Sequence, residues 1–189
     1  MRSVDWLRNS SGLSWLICVT FALRDLTSSK IEAGELIIER TPFDVKDEFL
    51  EAIKLQSAIA QGKAIELICD VSNKKIPSLV IGDPARFAQI VSNLVSNAIK
   101  FTDKGQVAAS IEYDDKKQEV ICKIKDTGIG IAQDKQKNIF AKFSQGDASI
   151  TRKYGGTGLG LAITKQLVEA LSGEIGFESK EGLGTNFWF

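Results

Sequence analysis

No histidine occurs in the 189 residues of this chain. Every His-based triad, His metal ligand and His general base is thereby excluded within it. Neither sign of charge is in excess, because 24 Lys and Arg balance 24 Asp and Glu. No overall field draws the chain to nucleic acid or to an anionic membrane. Cysteine is sparse: Cys18, Cys69 and Cys122 are odd in number, far apart and without Cys-x-x-Cys spacing. They read as small buried hydrophobes in a reducing, cytoplasmic compartment, which argues against a disulfide framework or a zinc site. Long apolar runs are missing too. The stretch 13–23 (LSWLICVTFAL) has eleven residues, whereas a membrane-spanning helix needs about 20. Arg2 and Arg8 precede it as in a signal peptide, but Asp5 and the lack of an Ala-x-Ala-like cleavage site point instead to a buried helix end or cap.

What is present is ordinary for a globular domain, with 43% hydrophobic and 25% charged residues. The length suits one full domain with a short attached piece. Residues 1–12 lack a clear period, and 13–38 suit a helix. Thr41-Pro42-Phe43-Asp44 interrupts the pattern, because proline removes a donor and pushes Thr41 extended. The expected division is therefore an N-terminal piece, 1–41, and a main domain, 42–189, with a linker at the junction.

Within the main domain, 45–62 reads as a helix, 64–72 as a strand and 78–81 as a short extended run. Asp83 is a good N-cap and Pro84 suits the first helical position. From there Phe87, Ile90, Val91, Leu94, Val95, Ala98 and Ile99 cover one broad face that needs a sheet to pack against. Segments 106–113 and 119–125 alternate as a hairpin around Asp114-Asp115-Lys116-Lys117. A short helix over 134–140, a polar loop over 144–156, a helix over 161–171 and strands over 174–179 and 186–189 complete the order. Strands outnumber crossover helices and several pair locally. The expected fold is an α/β (α+β) two-layer sandwich, a mixed, mainly antiparallel sheet with helices on one face.

Three clusters carry chemistry. Asn93, Asn97 and Lys100 fall within a sector of about 60° opposite the apolar face. Two amides at i, i+4 can offer oxygens to a hard cation such as Mg²⁺, and Lys100 brings a positive charge that suits phosphate. A plain solvated face is the competing reading. Gly155-Gly156-Thr157-Gly158-Leu159-Gly160 places four glycines before a helix, exposing amides where an anion is favoured. It lacks the Gly-Lys-Ser/Thr of a Walker loop and the leading strand of a dinucleotide fingerprint, and a glycine-rich hinge is its competing reading. Asp126-Thr127-Gly128-Ile129-Gly130 follows a strand. Gly128 and Gly130 let the backbone approach a flat ligand, and the Asp126 carboxylate can accept from an exocyclic amine, favouring adenine over guanine. Together the clusters form a nucleotide site, with the polar loop as a lid.

The motifs NLVSNAIKFT, DTGIGIA, IFAKFSQGD and YGGTGLGLAI, in this order, resemble the asparagine box, first glycine box, phenylalanine box and second glycine box of sensor histidine kinases, most closely the hybrid type. The resemblance covers roughly 42–189. It implies the Bergerat ATP-binding fold, ATP and Mg²⁺ as cofactors, and transfer of the γ-phosphoryl to a histidine in a two-component phosphorelay. It implies that Asp126 binds adenine and that Asn93 and Asn97 hold Mg²⁺. Lys100 would face phosphate, and Phe140 and Phe143 would anchor the lid. Gly156, Thr157, Gly158, Leu159 and Gly160 would wrap the phosphates, with Thr185 near the base.

Two departures qualify that likeness. The hydrolases resembling this fold keep a Glu one turn before the Mg²⁺ asparagine, and Asn93, which is no base, stands at that position here. The phosphoacceptor motif of the dimerisation hairpin is absent; only 25–34 resembles the end of its second helix. The implied partners are a dimerisation/histidine phosphotransfer domain in trans or in a parent chain, and a response regulator downstream. A parent protein anchored in a membrane fits this picture. An ATP-responsive scaffold without phosphoryl transfer is the alternative, and a serine kinase or ATPase of the same superfamily is a third.

Overall fold

The computed structural model describes residues 36–141 and 158–189. The expected helix at 13–38, the polar loop at 144–156, Cys18, Phe143, Gly156 and Thr157 lie wholly or largely outside them. All elements given below fall in one compact unit, Ile38–Phe189.

The chain enters as β1 (Thr41–Phe43), where a linker is expected, and pairs antiparallel with β3 (Val80–Gly82). Pro42 is tolerated there because a two-stranded edge asks little of its missing N–H. Asp44 then caps α1 (Val45–Gly62), its side chain accepting from Lys46 N at 2.9 Å and Asp47 N at 3.2 Å. Lys63 and Ala64 close that helix, Ala64 at φ 53, and β2 (Glu66–Asp70) follows.

The second helix, α2 (Pro84–Phe101), starts and stops where Asp83, Pro84 and Thr102 predict. Asp83 caps it through Arg86 N at 3.0 Å and also accepts from Glu39 N at 3.1 Å, tying the incoming chain to the helix start. All seven predicted apolar positions of α2 are buried. They rest on β4 (Gln106–Asp114) and β5 (Glu119–Asp126), whose Val107, Ala109, Ile111, Cys122 and Ile124 point the same way. Burial pushes the Cys122 thiol up, so it packs as a hydrophobe; Cys69 is only half-buried, contrary to expectation.

A short helix, α3 (Gln133–Gln136), is briefer than the 134–140 expected, and bonds such as Asn138 N to Lys135 O and Ala141 N to Asn138 O continue the chain as tight turns. Then come α4 (Gly160–Ala170), β6 (Gly176–Lys180) and β7 (Gly184–Trp188). The last two strands start at glycines, Gly176 inside the strand expected over 174–179 and Gly184 ahead of the one expected from 186. A Cβ at Gly176 would lie 2.2 Å from the Trp188 ring, and one at Gly184 would lie 2.1 Å from the Asp126 carbonyl oxygen. Both glycines are strand positions because something lies against them.

The sheet order is β2-β4-β5-β7-β6, with β2 and β4 parallel and the other pairs antiparallel. It is the expected mixed sheet, with the small β1-β3 ribbon added. Among the described residues, no helix is long and apolar enough to cross a membrane.

Leu94 is fully buried in α2 at 0% exposure. Leu94→Ala should lower unfolding free energy by about 2–5 kcal/mol, as large-to-small core changes do, read by urea denaturation with an unchanged m-value.

Candidate functional site

Asp126 closes β5 with 5% of its surface exposed. Its Oδ1 accepts from Gly128 N at 2.8 Å and from Thr185 N at 3.3 Å. Oδ2 receives no donor from the described residues. Burial raises its pKa from the ordinary 3.8, against the lowering effect of those two N–H bonds.

The turn after Asp126 has room for nothing but glycine at two places. A Cβ on Gly128 would sit 2.4 Å from the Phe101 carbonyl oxygen; on Gly130, at φ 66, it would sit 2.1 Å from that of Lys180. Ile129 N donates to Phe101 O at 3.1 Å, and Gly182 N to Ile129 O at 2.8 Å. The turn is thus pinned between the end of α2 and the β6–β7 hairpin. Thr185 is buried, its hydroxyl 2.8 Å from Ser179 Oγ, which also accepts from Ile131 N at 2.9 Å.

On α2, Asn93 faces α4 and is buried at 7% exposure rather than solvated. Its Nδ2 lies 2.6 Å from Thr164 Oγ1, and Thr164 Oγ1 lies 3.0 Å from Gly160 O. A carbonyl only accepts, so the hydroxyl proton goes to Gly160. Thr164 must then accept from Asn93, which fixes the amide with its nitrogen toward Thr164. A Cβ on Gly160 would meet Asn93 Oδ1 at 2.9 Å, so glycine there lets the start of α4 rest on this amide. Asn97, one turn on, is half-buried and makes no side-chain hydrogen bond among the described residues. Lys100 Nζ stands 4.8 Å from the centroid of the Phe101 ring.

Leading into α4, Gly158 has φ 73 and Leu159 caps the helix without a side-chain bond. Phe140 packs edge-on to Phe177 at 5.9 Å and Phe187 at 6.4 Å, with Lys165 Nζ 5.7 Å from its centroid. The tight turns after α3 deliver it there, fastening the chain to β6, β7 and α4 just before the undescribed segment. Thr164, Ser179 and Lys63 escape sequence reading, since each works through a partner distant in sequence.

The match to known proteins agrees with this geometry. Residues 82–189 match the family model described as histidine kinase-, DNA gyrase B-, and HSP90-like ATPase. The chain belongs to this ATPase family. The chain is 43% identical over 167 residues to the signal transduction histidine-protein kinase BarA of Escherichia coli K12, a match covering 87% of this chain and 18% of BarA. It is 45% identical over 166 residues to histidine protein kinase 1 of Candida albicans, covering 86% of this chain and 7% of that protein. Among solved structures, full-length ShkA in complex with AMPPNP superposes with a TM-score of 0.74 at 29% identity, covering 96% of this chain and 38% of ShkA. The catalytic domain of histidine kinase ThkA gives 0.67 at 27%, covering 80% and 93%. The chain spans less than a fifth of these curated relatives.

As an ATP-binding domain of this family, the protein should lose nucleotide on protonation of Asp126. The folded-state pKa is raised, so below 3.8 the carboxyl is neutral in both states, and stability is lost as pH rises through the raised value. The ionised form therefore costs stability. Asp126→Asn should weaken ATP by about 100-fold or more, the scale on which a polar site rejects a mismatched partner, yet leave the apo melting temperature equal or higher. Titration calorimetry and thermal melts check both halves, and wild-type affinity should fall with pH through a midpoint above 3.8.

Proposed function

We propose that this chain is the catalytic ATP-binding domain of a two-component histidine kinase, binding Mg-ATP and donating the γ-phosphoryl to a histidine on another domain or chain. The observation that carries the nucleotide reading is the buried Asp126 carboxylate, with Oδ1 tied to Gly128 and Thr185 and Oδ2 open. Such a group recognises an N–H donor at fixed depth, as an adenine amine would supply. Gly128 and Gly130 allow the base to lie against backbone.

The donor set suits Mg²⁺. Asn97 makes no side-chain hydrogen bond among the described residues, and Thr164 fixes the Asn93 amide with its nitrogen toward α4 and its oxygen on the other side. Mg²⁺ takes few protein oxygens and keeps phosphate and water as its other ligands; no cluster of three His, Cys, Asp or Glu competes for it among the described residues. Bound there, the cation would neutralise charge developing on the transferred group. Lys100 faces phosphate, and the amides at the start of α4, with Gly156, Thr157, Gly158 and Leu159 before them, receive the phosphate tail. Phe140 and Phe143 anchor the lid.

Transfer to a nucleophile suits this site better than hydrolysis. Asn93 cannot take a proton from water, so rate enhancement rests on positioning and charge neutralisation. The chain holds no histidine, and so the acceptor is a dimerisation/histidine phosphotransfer domain in trans or in a parent chain, with a response regulator downstream. We place the work in the cytoplasm, with a parent protein anchored in the membrane.

Incubated with Mg-ATP and a separate histidine-bearing dimerisation domain, the chain should phosphorylate that domain, with an acid-labile, base-stable product. Asn97→Ala should abolish the transfer. Tight ATP binding without transfer to any such domain would instead favour a non-catalytic scaffold, and steady phosphate release without an acceptor would favour an ATPase.

A further inference from the structure

Helices α1 and α2 run side by side in the same direction. Their starts are joined by the β1-β3 ribbon, and their ends meet where Lys63 reaches across. Parallel helices set two negative dipole ends together, and the last carbonyls of α2 lack intrahelical partners. Each of them is nevertheless satisfied. Ala98 O accepts from Thr102 Oγ1 at 2.8 Å, and Phe101 O accepts from Ile129 N at 3.1 Å. Lys63 Nζ supplies the rest, donating to Ile99 O at 2.7 Å, Lys100 O at 3.0 Å and Thr102 O at 2.9 Å. The three ammonium protons meet three carbonyls, so the cation is saturated and works as a fixed structural charge.

Those carbonyls bracket the one that receives Ile129 N. The last turn of α2 therefore has two loads: it carries Lys100, and it suspends the turn Thr127–Gly130 through Phe101 O. A shift there moves both ends of the nucleotide site.

We propose that Lys63 is a positioning residue for nucleotide binding, setting the last turn of α2 and, through Phe101 O, the turn beneath the base. The proposal rests on the ATP-binding reading of the site. Lys63 touches neither Asp126 nor Asn97, and it acts through carbonyl groups alone.

The test uses the full chain with Lys63→Met, Lys63→Gln and Lys63→Arg, and with Ile111→Ala as a control that destabilises a core position of β4. ATP affinity is measured where each variant is folded, together with hydrogen exchange at the Ile129 amide. Lys63→Met should weaken ATP about tenfold, the scale for residues that orient binding groups from one shell out. It should also speed Ile129 exchange. Lys63→Arg, which keeps charge and donors, should recover most of the affinity, and Lys63→Gln, with two donors, should fall between. Ile111→Ala should leave affinity and Ile129 exchange relative to global unfolding unchanged. If Lys63→Met does not fold, the Gln and Arg variants decide. Wild-type affinity and exchange in Lys63→Met or Lys63→Gln would overturn the proposal, as would an equal loss of affinity in Ile111→Ala. Should the wild type itself fail to bind ATP, the nucleotide reading falls, while Ile129 exchange still reports on the clamp.

Discussion

A carboxylate held at 5% exposure at the end of a central strand is the constraint that shapes this domain around it. Burying that charge is unfavourable unless donors meet it, and two backbone N–H groups do. To bring them close, the chain must fold back within two residues on one side and lay β7 alongside on the other. Both approaches are too tight for a side chain. Gly128 lies under Asp126 Oδ1, and Gly184 lies on its backbone carbonyl. The glycines, the β5-β7 pairing and the turn follow from one buried acid. Burial still raises its pKa against those two donors, so ionisation is harder there than in water.

The helical layer solves a different problem. In order, β1-α1-β2 and β3-α2-β4 are two copies of one plan, with the strands that follow the helices paired in parallel, Glu66 opposite Gln106. That arrangement forces two helix ends into one neighbourhood, and a lysine closing the first helix neutralises the second. Had the helices run antiparallel, no such charge would be required there. The same carbonyl cluster holds the glycine turn, and so packing of the helices and placement of the site are not separable.

Much of this was legible in the sequence because it is local. Asp83, Pro84 and the broad apolar face fix α2 without reference to anything else, and alternation fixes β4 and β5. The Asp126 turn was legible as a strand end followed by glycines, and the asparagines as polar positions of α2. What escaped depends on partners far along the chain. Nothing local shows why Gly176 and Gly184 must be glycine until Trp188 and Asp126 are seen against them. Asn93 reads as one of a polar trio opposite the apolar face, and its burial shows only once α4, 71 positions further on at Thr164, covers it. Lys63 reads as any helix-ending lysine, since its three acceptors lie more than thirty residues away.

Asn93 also decides what chemistry the covered face supports. Its neighbour Thr164 spends its only proton on Gly160 O, so a side chain at position 93 must present a donor to Thr164 Oγ1. An amide meets that demand; an ionised carboxylate would face an oxygen with no proton to give, in a place shut off from water. The local hydrogen-bond pattern therefore disfavours the water-activating acid at this point unless Thr164 turns away from Gly160. An amide pinned in this way is held in one orientation between α2 and α4. On the proposed reading, the Thr164–Asn93 pair suits catalysis by placement rather than by proton removal.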